Sequence, residues 1–515
     1  MEIKIKKYND VWLDNGLTTF YRLLEDIKDD SDCLERLEVK VNELIYSFED
    51  QDEFIEELTD TIKGKIENMV VKVENKETGE RKEVKKEHIL IQEGKKIAGK
   101  VAFKENIFDE FQTEQTIQDV YENLEGEKFT CFFCNRNFKK NIKKLQQASY
   151  PFVTKIKSLS GIRSGMKNRL TEYVSDYCPQ CYLNGILEWL DETMVYRTIP
   201  RDKSILILPN TSNLIELIKL KKSYNNILEN HERWSNIKVN RNRSEVENTP
   251  GRFTTFVSFY ETFLREVAQD VENVDWFIIE IPQSGSVKNP KYFNIRLEIE
   301  IIKILDTLIR VEKLYIYRTF VKQFYAFYTD AKKGIRDFDR EKVLHEQLCE
   351  SLVKNNFDLF ASNFVPRKGI RPGMPKECYE ILDKLLFNWR IKPMQIENKE
   401  EYLKILGMAG STLARLIGER LGLFFKLEKA KTPDQFFAAL QEVTRRVVIE
   451  DQSKMGTIYP HSLEKVSQMI LEKYDQKDGK EFFNTTKNIL LIYTSLRSKK
   501  PQTTQAKNKE EQNES

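Results

Sequence analysis

Glycine and proline are scarce in this chain, 20 and 14 of 515 residues. That excludes a collagenous or turn-dominated protein and favours helices joined by fairly short connections. No apolar run reaches the roughly 18 residues needed to cross a bilayer, and the opening MEIKIKKYNDVWLDNGL lacks an apolar core of signal-peptide length. The expectation is a cytoplasmic protein without membrane contact. Histidine is rarer still. His88, His231, His345 and His461 are scattered, and the zincin-like opening His345-Glu346 meets Cys349 where a second histidine should stand. Net charge is close to absent, with 83 basic against 81 acidic side chains, so any nucleic-acid binding must come from local segregation of charge.

What is present is concentrated in one stretch. Of seven cysteines, four form two C-x-x-C pairs, Cys131/Cys134 and Cys178/Cys181. An odd number of cysteines in a large chain without a secretory signal fits reduced thiols and a metal better than disulfides. Two such pairs match a tetrahedral structural zinc site, closed to substrate, which builds structure rather than doing chemistry. Spacing alone leaves an iron-sulfur cluster open; a redox dithiol fits less well, since two distant pairs without a thioredoxin-like context suit a closed site. The isolated Cys33, Cys349 and Cys378 read as small buried hydrophobes.

Between the pairs, from Asn135 to Leu170, lie Arg136, Lys139, Lys140, Lys143, Lys144, Lys155, Lys157, Arg163, Lys167 and Arg169, with no Asp or Glu. Lysine-rich stretches are commonly solvated surface, but a stretch free of acids creates a local field suited to a phosphate backbone. Ser158-Leu159-Ser160-Gly161-Ile162-Arg163-Ser164-Gly165 adds small residues that let backbone N–H groups approach phosphates.

The remaining pattern predicts a multi-domain α+β protein. Residues 1–128 form a mixed α/β region, including a hairpin over Val70–Gln92 about Lys76–Glu80. Residues 129–190 form the four-cysteine module, with a helix over Tyr182–Trp189. Residues 191–375 form a middle α/β region with strands at Ile205–Pro209 and Trp276–Ile281, and the Pro366–Pro375 stretch marks the main boundary. Residues 376–498 read as an all-α bundle, with helices over Cys378–Trp389, Glu400–Phe425, Pro433–Ile449, Ser462–Tyr474 and Glu481–Leu496. Thr432-Pro433-Asp434-Gln435 offers a capping box. Residues 499–515 are too poor in apolar groups to fold and are expected to be a disordered tail.

Two further patterns have simpler readings. Gly94-Lys95-Lys96-Ile97-Ala98-Gly99-Lys100-Val101 matches a phosphate-binding loop except that Val101 replaces the magnesium-holding Ser or Thr, so a hairpin turn accounts for it better. The aromatic run from Tyr315 to Tyr328 could stack bases. Ile316, Phe320, Phe324 and Phe327 share one helical face, however, which predicts core. No nucleophile and base set emerges from spacing.

The basic segment bracketed by FTCFFC and DYCPQC, in a chain ending in a helical bundle with LEKAKTPDQFFAALQEV, resembles the CXXC-CXXC family of CRISPR-associated proteins, the large subunit of type I (subtype I-B) Cascade effector complexes. The paired cysteines, over roughly Lys128–Trp189, are the specific part. The resemblance implies a non-catalytic subunit near the 5′ handle of the guide RNA. Such a subunit inspects the flanking motif (PAM) of target double-stranded DNA, supports R-loop formation alongside the other Cascade subunits, and presents the displaced strand to a helicase-nuclease recruited in trans. It also implies a bundle resembling the small subunit, which some members make from an internal start; Met394 and Met408 lie near its beginning. From charge alone, Arg415, Arg420, Arg445 and Arg446 are candidates for strand contacts, and Gln283 and Lys288 are outlying candidates for the flanking motif. The alternative from another class is a zinc-containing nucleic-acid enzyme, a nuclease or RNA-modifying protein, with its active site built from scattered acids.

Overall fold

Asp10 starts the helix that organises the first half of the protein: its carboxylate accepts hydrogen bonds from the backbone N–H groups of Trp12 and Leu13, both at 3.0 Å. The helix, α1 (Val11–Asp30), is buried at every position from Val11 to Phe20, so it is a central element rather than an amphipathic surface helix. The computed structural model describes residues 1–68, 113–142, 149–151, 176–191, 194–199, 203–230, 251–261, 274–282, 291–328, 335–367, 369–418, 420–450 and 460–497, with short strands between 70 and 96. Among these residues the protein is α+β, and the chain divides into two units, Met1–Asn242 with Glu266–Arg296 and Arg243–Arg265 with Leu297–Ser515. The sequence boundaries at 128 and 190 fall within the first unit.

In the first unit, β1 (Glu2–Lys6), β2 (Leu34–Lys40) and β3 (Glu43–Phe48) make an antiparallel sheet in the order β1-β3-β2. Strand β1 alternates, with Ile3 and Ile5 inward and Glu2, Lys4 and Lys6 outward. Against the inner face pack α1, α2 (Gln51–Asn68) and α3 (Thr113–Glu122), through an aromatic cluster in which Phe48 and Phe54 stack at 4.4 Å and Tyr121 meets both edge-on. Each fully buried aromatic here contributes about 1.5–3 kcal/mol. The expected hairpin is present as β4 (Val70–Glu74) paired with β5 (Arg81–Lys85). The stretch that mimics a phosphate-binding loop begins in another short pair, β6 (Ile91–Gln92) with β7 (Lys95–Lys96). After the cysteine-bearing segments, β10 (Val195–Ile199), β11 (Lys203–Asn210), β12 (Asp275–Pro282) and β13 (Lys291–Ile295) form a four-stranded sheet, antiparallel throughout. α5 (Leu214–Asn230) follows β11 and packs on α1. The expected strands at 205–209 and 276–281 are both there.

In the second unit, α6 (Arg252–Phe259) is capped by the Glu346 carboxylate, which accepts from the N–H groups of Phe253 and Thr254 at 2.9 and 3.0 Å. α7 (Ile299–Arg310) precedes the aromatic run. That run is not one helix: a wide turn over Ile316–Phe320 and a tight one over Val321–Gln323 lead into β14 (Tyr325–Tyr328). Ile316, Phe320, Phe324 and Phe327 are nonetheless all buried, as the core reading expects. After α8 (Phe338–Val353) and α9 (Phe357–Ser362), β15 (Ile370–Gly373) pairs with β14, so the Pro366–Pro375 stretch is part of this unit's fold.

The C-terminal helices are α10 (Cys378–Leu386), α11 (Lys399–Ile417), α12 (Leu421–Lys429), α13 (Pro433–Glu450), α14 (Pro460–Tyr474) and α15 (Gly479–Arg497). The single helix expected over 400–425 breaks at Gly418, whose φ of 56° is left-handed. Helices α11 and α15 meet at Gly410, where a Cβ would stand 2.5 Å from that of Tyr493. Half of the expected capping box forms at Thr432, with the Gln435 N–H donating to the threonine hydroxyl at 3.4 Å; the Gln435 side chain accepts instead from the N–H of Lys431, one residue before the cap, at 2.9 Å. Residues 499–515 lie outside the described residues, as do the sequence expectations placed on them.

Candidate metal centre

The first thiol pair sits on a turn between two short strands, β8 (Phe129–Thr130) and β9 (Asn137–Phe138). The Cys131 N–H donates to the Arg136 carbonyl at 2.8 Å and the Asn135 N–H to the Cys131 carbonyl at 3.0 Å. Asn135 takes a left-handed φ of 57°, which asparagine tolerates better than most residues. The turn is thereby closed with both thiols aimed to one side.

The second pair opens a helix, α4 (Pro179–Leu187), in place of the expected helix over 182–189. Cys178 is its N-cap, with its sulfur accepting from the Cys181 N–H at 3.4 Å, and Pro179 occupies the first helical position, where a missing N–H costs nothing. The positive end of the helix dipole therefore lies against this pair, but the neighbouring Cys131 sulfur holds the Cys178 thiol well above its usual range. The two halves also bond to each other: the Cys178 N–H donates to the Cys131 sulfur at 3.3 Å, and the Phe132 N–H to the Asp176 carbonyl at 2.9 Å.

The four sulfurs converge. Cys131 and Cys181 Sγ are 3.7 Å apart, Cys134 and Cys178 Sγ 3.5 Å, and all four lie within 4.8 Å of one another. Tetrahedral zinc with bonds of about 2.3 Å would set sulfur-to-sulfur edges of about 3.8 Å, so the cluster has the size of one metal ion. Cys131, Cys178 and Cys181 are buried and Cys134 is half-buried. The Cys131 thiol is pulled well down by hydrogen bonds from Cys134, Cys178 and Cys181, whereas burial pushes Cys181 well up. Four thiolates in so small a buried volume would need a cation, and four protein ligands on one ion would leave no position for a substrate. Among the described residues, no other group of His, Cys, Asp and Glu converges in this way.

The cluster is anchored in the core of the first unit. Helix α4 crosses α1 at contact distance because α1 carries Gly16 there, where a Cβ would lie 2.0 Å from the Asn184 carbonyl oxygen; Gly185 of α4 makes a separate close approach, its Cβ position lying 2.0 Å from the Ser149 carbonyl oxygen. Trp12 Nε1 donates to the Ser149 and Gly185 carbonyls at 3.0 and 2.9 Å. At the other end of α4, Glu188 and Asp191 are buried with Lys221 of α5, whose ammonium is 3.3 Å from the first and 2.6 Å from the second. Arg22 of α1 pairs with Asp191, and the Thr19 hydroxyl donates to Glu188 at 3.1 Å. The helix that opens at Cys178 is thus tied by charge to α1 and α5. Sequence reasoning missed this network; the visible signal was two acids inside the apolar GILEWLD.

Of the predicted nucleic-acid contacts, Lys139 and Lys140 follow β9 and are exposed. Lys143, Lys144, Lys155, Lys157, Arg163, Lys167 and Arg169 lie outside the described residues, as do Gln283 and Lys288. Arg415, Arg420 and Arg445 are exposed on or beside bundle helices, and Arg446 lies in α13. No described helix is long and apolar enough to cross a membrane. No protein-family model matches the chain, and a search of curated proteins finds no match.

Proposed function

We propose that this protein is a non-catalytic, nucleic-acid-binding large subunit of a type I CRISPR Cascade complex, with structural zinc at Cys131, Cys134, Cys178 and Cys181. One observation carries the reading: the four sulfurs close into a metal-sized cluster at the two ends of a segment whose residues 135–170 hold ten Lys or Arg and no acid. A closed thiolate site staples the ends of that segment to a rigid core, so its cations are presented together and bind phosphate by counterion release. Zinc suits the donor set because sulfur ligands in a compact tetrahedral arrangement favour it over hard cations. The absence of a paired acid, base and nucleophile in the sequence fits delegated recognition, in which guide pairing reads the target while the protein reads a short flanking motif and the backbone.

Affinity purification of the chain from its native cells, followed by sequencing of the bound RNA, tests the assignment. Repeat-derived RNA and additional subunits should accompany it. A protein that arrives alone and cleaves or modifies free nucleic acid would be the enzyme of the alternative reading.

A further inference from the structure

Phe132 is out of place on hydropathy grounds. It lies between the two cysteines of the first pair, yet is 61% exposed, while the neighbouring Phe133 is half-buried against Tyr150 and Tyr177 at 5.1 and 5.4 Å. Phe133 in turn braces the Phe132 ring edge-to-face at 5.3 Å. The backbone beneath is fixed by the Phe132 N–H bond to Asp176 and by the turn that closes at Arg136. An exposed ring on a backbone held by a metal knuckle loses little entropy when something flat settles on it. The hairpin sets the class of partner: Arg136, Lys139 and Lys140 follow Phe132 on it, with no acid between Cys131 and Lys140. An apolar protein partner would have no use for that charge, whereas an unpaired base carries its own phosphate.

We propose that Phe132 is a stacking platform for an unpaired base of single-stranded nucleic acid, with the cations of its hairpin holding the adjoining phosphates. This rests on the nucleic-acid reading above and extends it to a residue that charge alone does not select. Stacking is indifferent to base identity and needs a base released from its duplex, so the ring acts on a single strand and leaves a closed duplex alone.

The test uses the full chain and fluorescein-labelled 12-nucleotide single strands of RNA and of DNA, beside a blunt DNA duplex of the same length, measured by anisotropy over a range of salt. Phe132→Ala should weaken single-strand binding about tenfold, and Phe132→Leu equally, while Phe132→Trp keeps it. The slope of affinity against salt should not change, since no phosphate contact is lost. Duplex binding should move little, and the RNA and DNA arms show which strand is held. Metal content should stay at the wild-type level in all three variants, because Phe132 supplies no ligand. Equal single-strand affinity in wild type and Phe132→Ala would overturn the stacking role while leaving the nucleic-acid reading intact. Wild-type protein that binds none of the three probes would overturn both.

Discussion

Replacing Lys221 by Met removes the cation that sits between two buried carboxylates. In the native protein Arg22 and Lys221 face Glu188 and Asp191. Burial pushes the Glu188 carboxyl up to about 8 despite Lys221 beside it, so at neutral pH it is largely protonated. Without the ammonium, Asp191 keeps Arg22 and Glu188 keeps the Thr19 hydroxyl. Breaking a buried pair on one side costs about 3–5 kcal/mol. The lower end applies near pH 7, since Glu188 avoids a charge by holding its proton, and the cost should grow above pH 8. Two units are present, so global denaturation would blur the effect; hydrogen exchange of peptides covering 11–30 and 179–191 reads it locally. A loss of about 3 kcal/mol corresponds to exchange more than a hundredfold faster. Lys221→Met combined with Glu188→Gln should recover part of the loss, and Glu188→Gln alone should change little. If exchange in these peptides stayed within about threefold of wild type at pH 7, the network would not be holding α4 to its neighbours.

Gly16→Ala should destabilise the first unit by about 1–3 kcal/mol or more, since its Cβ meets backbone at Asn184 rather than a side chain that can swing away; the same exchange peptides report it. Asp14, Glu188 and Glu261 are raised by burial to about 6, 8 and 7. Each carboxyl binds its proton more tightly folded than unfolded, so its contribution is complete below about pH 4 and is lost as pH rises through 6 to 8. Thermal stability should accordingly fall over that window, and Glu261→Gln should flatten the fall in the second unit; an unchanged pH slope in that variant would remove Glu261 from the account. Arg163→Ala should weaken duplex binding and reduce its salt slope by about one, and an unchanged salt-dependent affinity would deprive the basic segment of its role.

Much of the fold was legible because its signals were local. Cysteine spacing brought the four ligands to one candidate site, and the structure joins them. Helix periodicity found the bundle, and Thr432-Pro433 marked a start that the capping hydrogen bond bears out. Misreadings came where long-range contacts decide. The run from Tyr315 to Tyr328 has helical spacing, but its end pairs with residues 370–373, a contact invisible in a local window. Gly418 breaks a periodic stretch through its backbone angle rather than through polarity. In the metal centre, the thiols were plain, but the glycine contact of α1 with α4 and the burial of Lys221 depend on residues some 170 and 30 positions away from their partners. The exposure of Phe132 was hidden for a related reason: inside a C-x-x-C pair, hydropathy predicts burial, and only the turn geometry directs the ring outward.

The most direct test of the whole account is the metal content of freshly purified protein, measured by elemental analysis on wild type and on Cys178→Ser/Cys181→Ser. Wild type should carry one zinc per chain, and the double variant should lose it together with its affinity for nucleic acid. A wild-type protein that binds nucleic acid with no metal bound would contradict the claim that a metal clamp presents the basic segment.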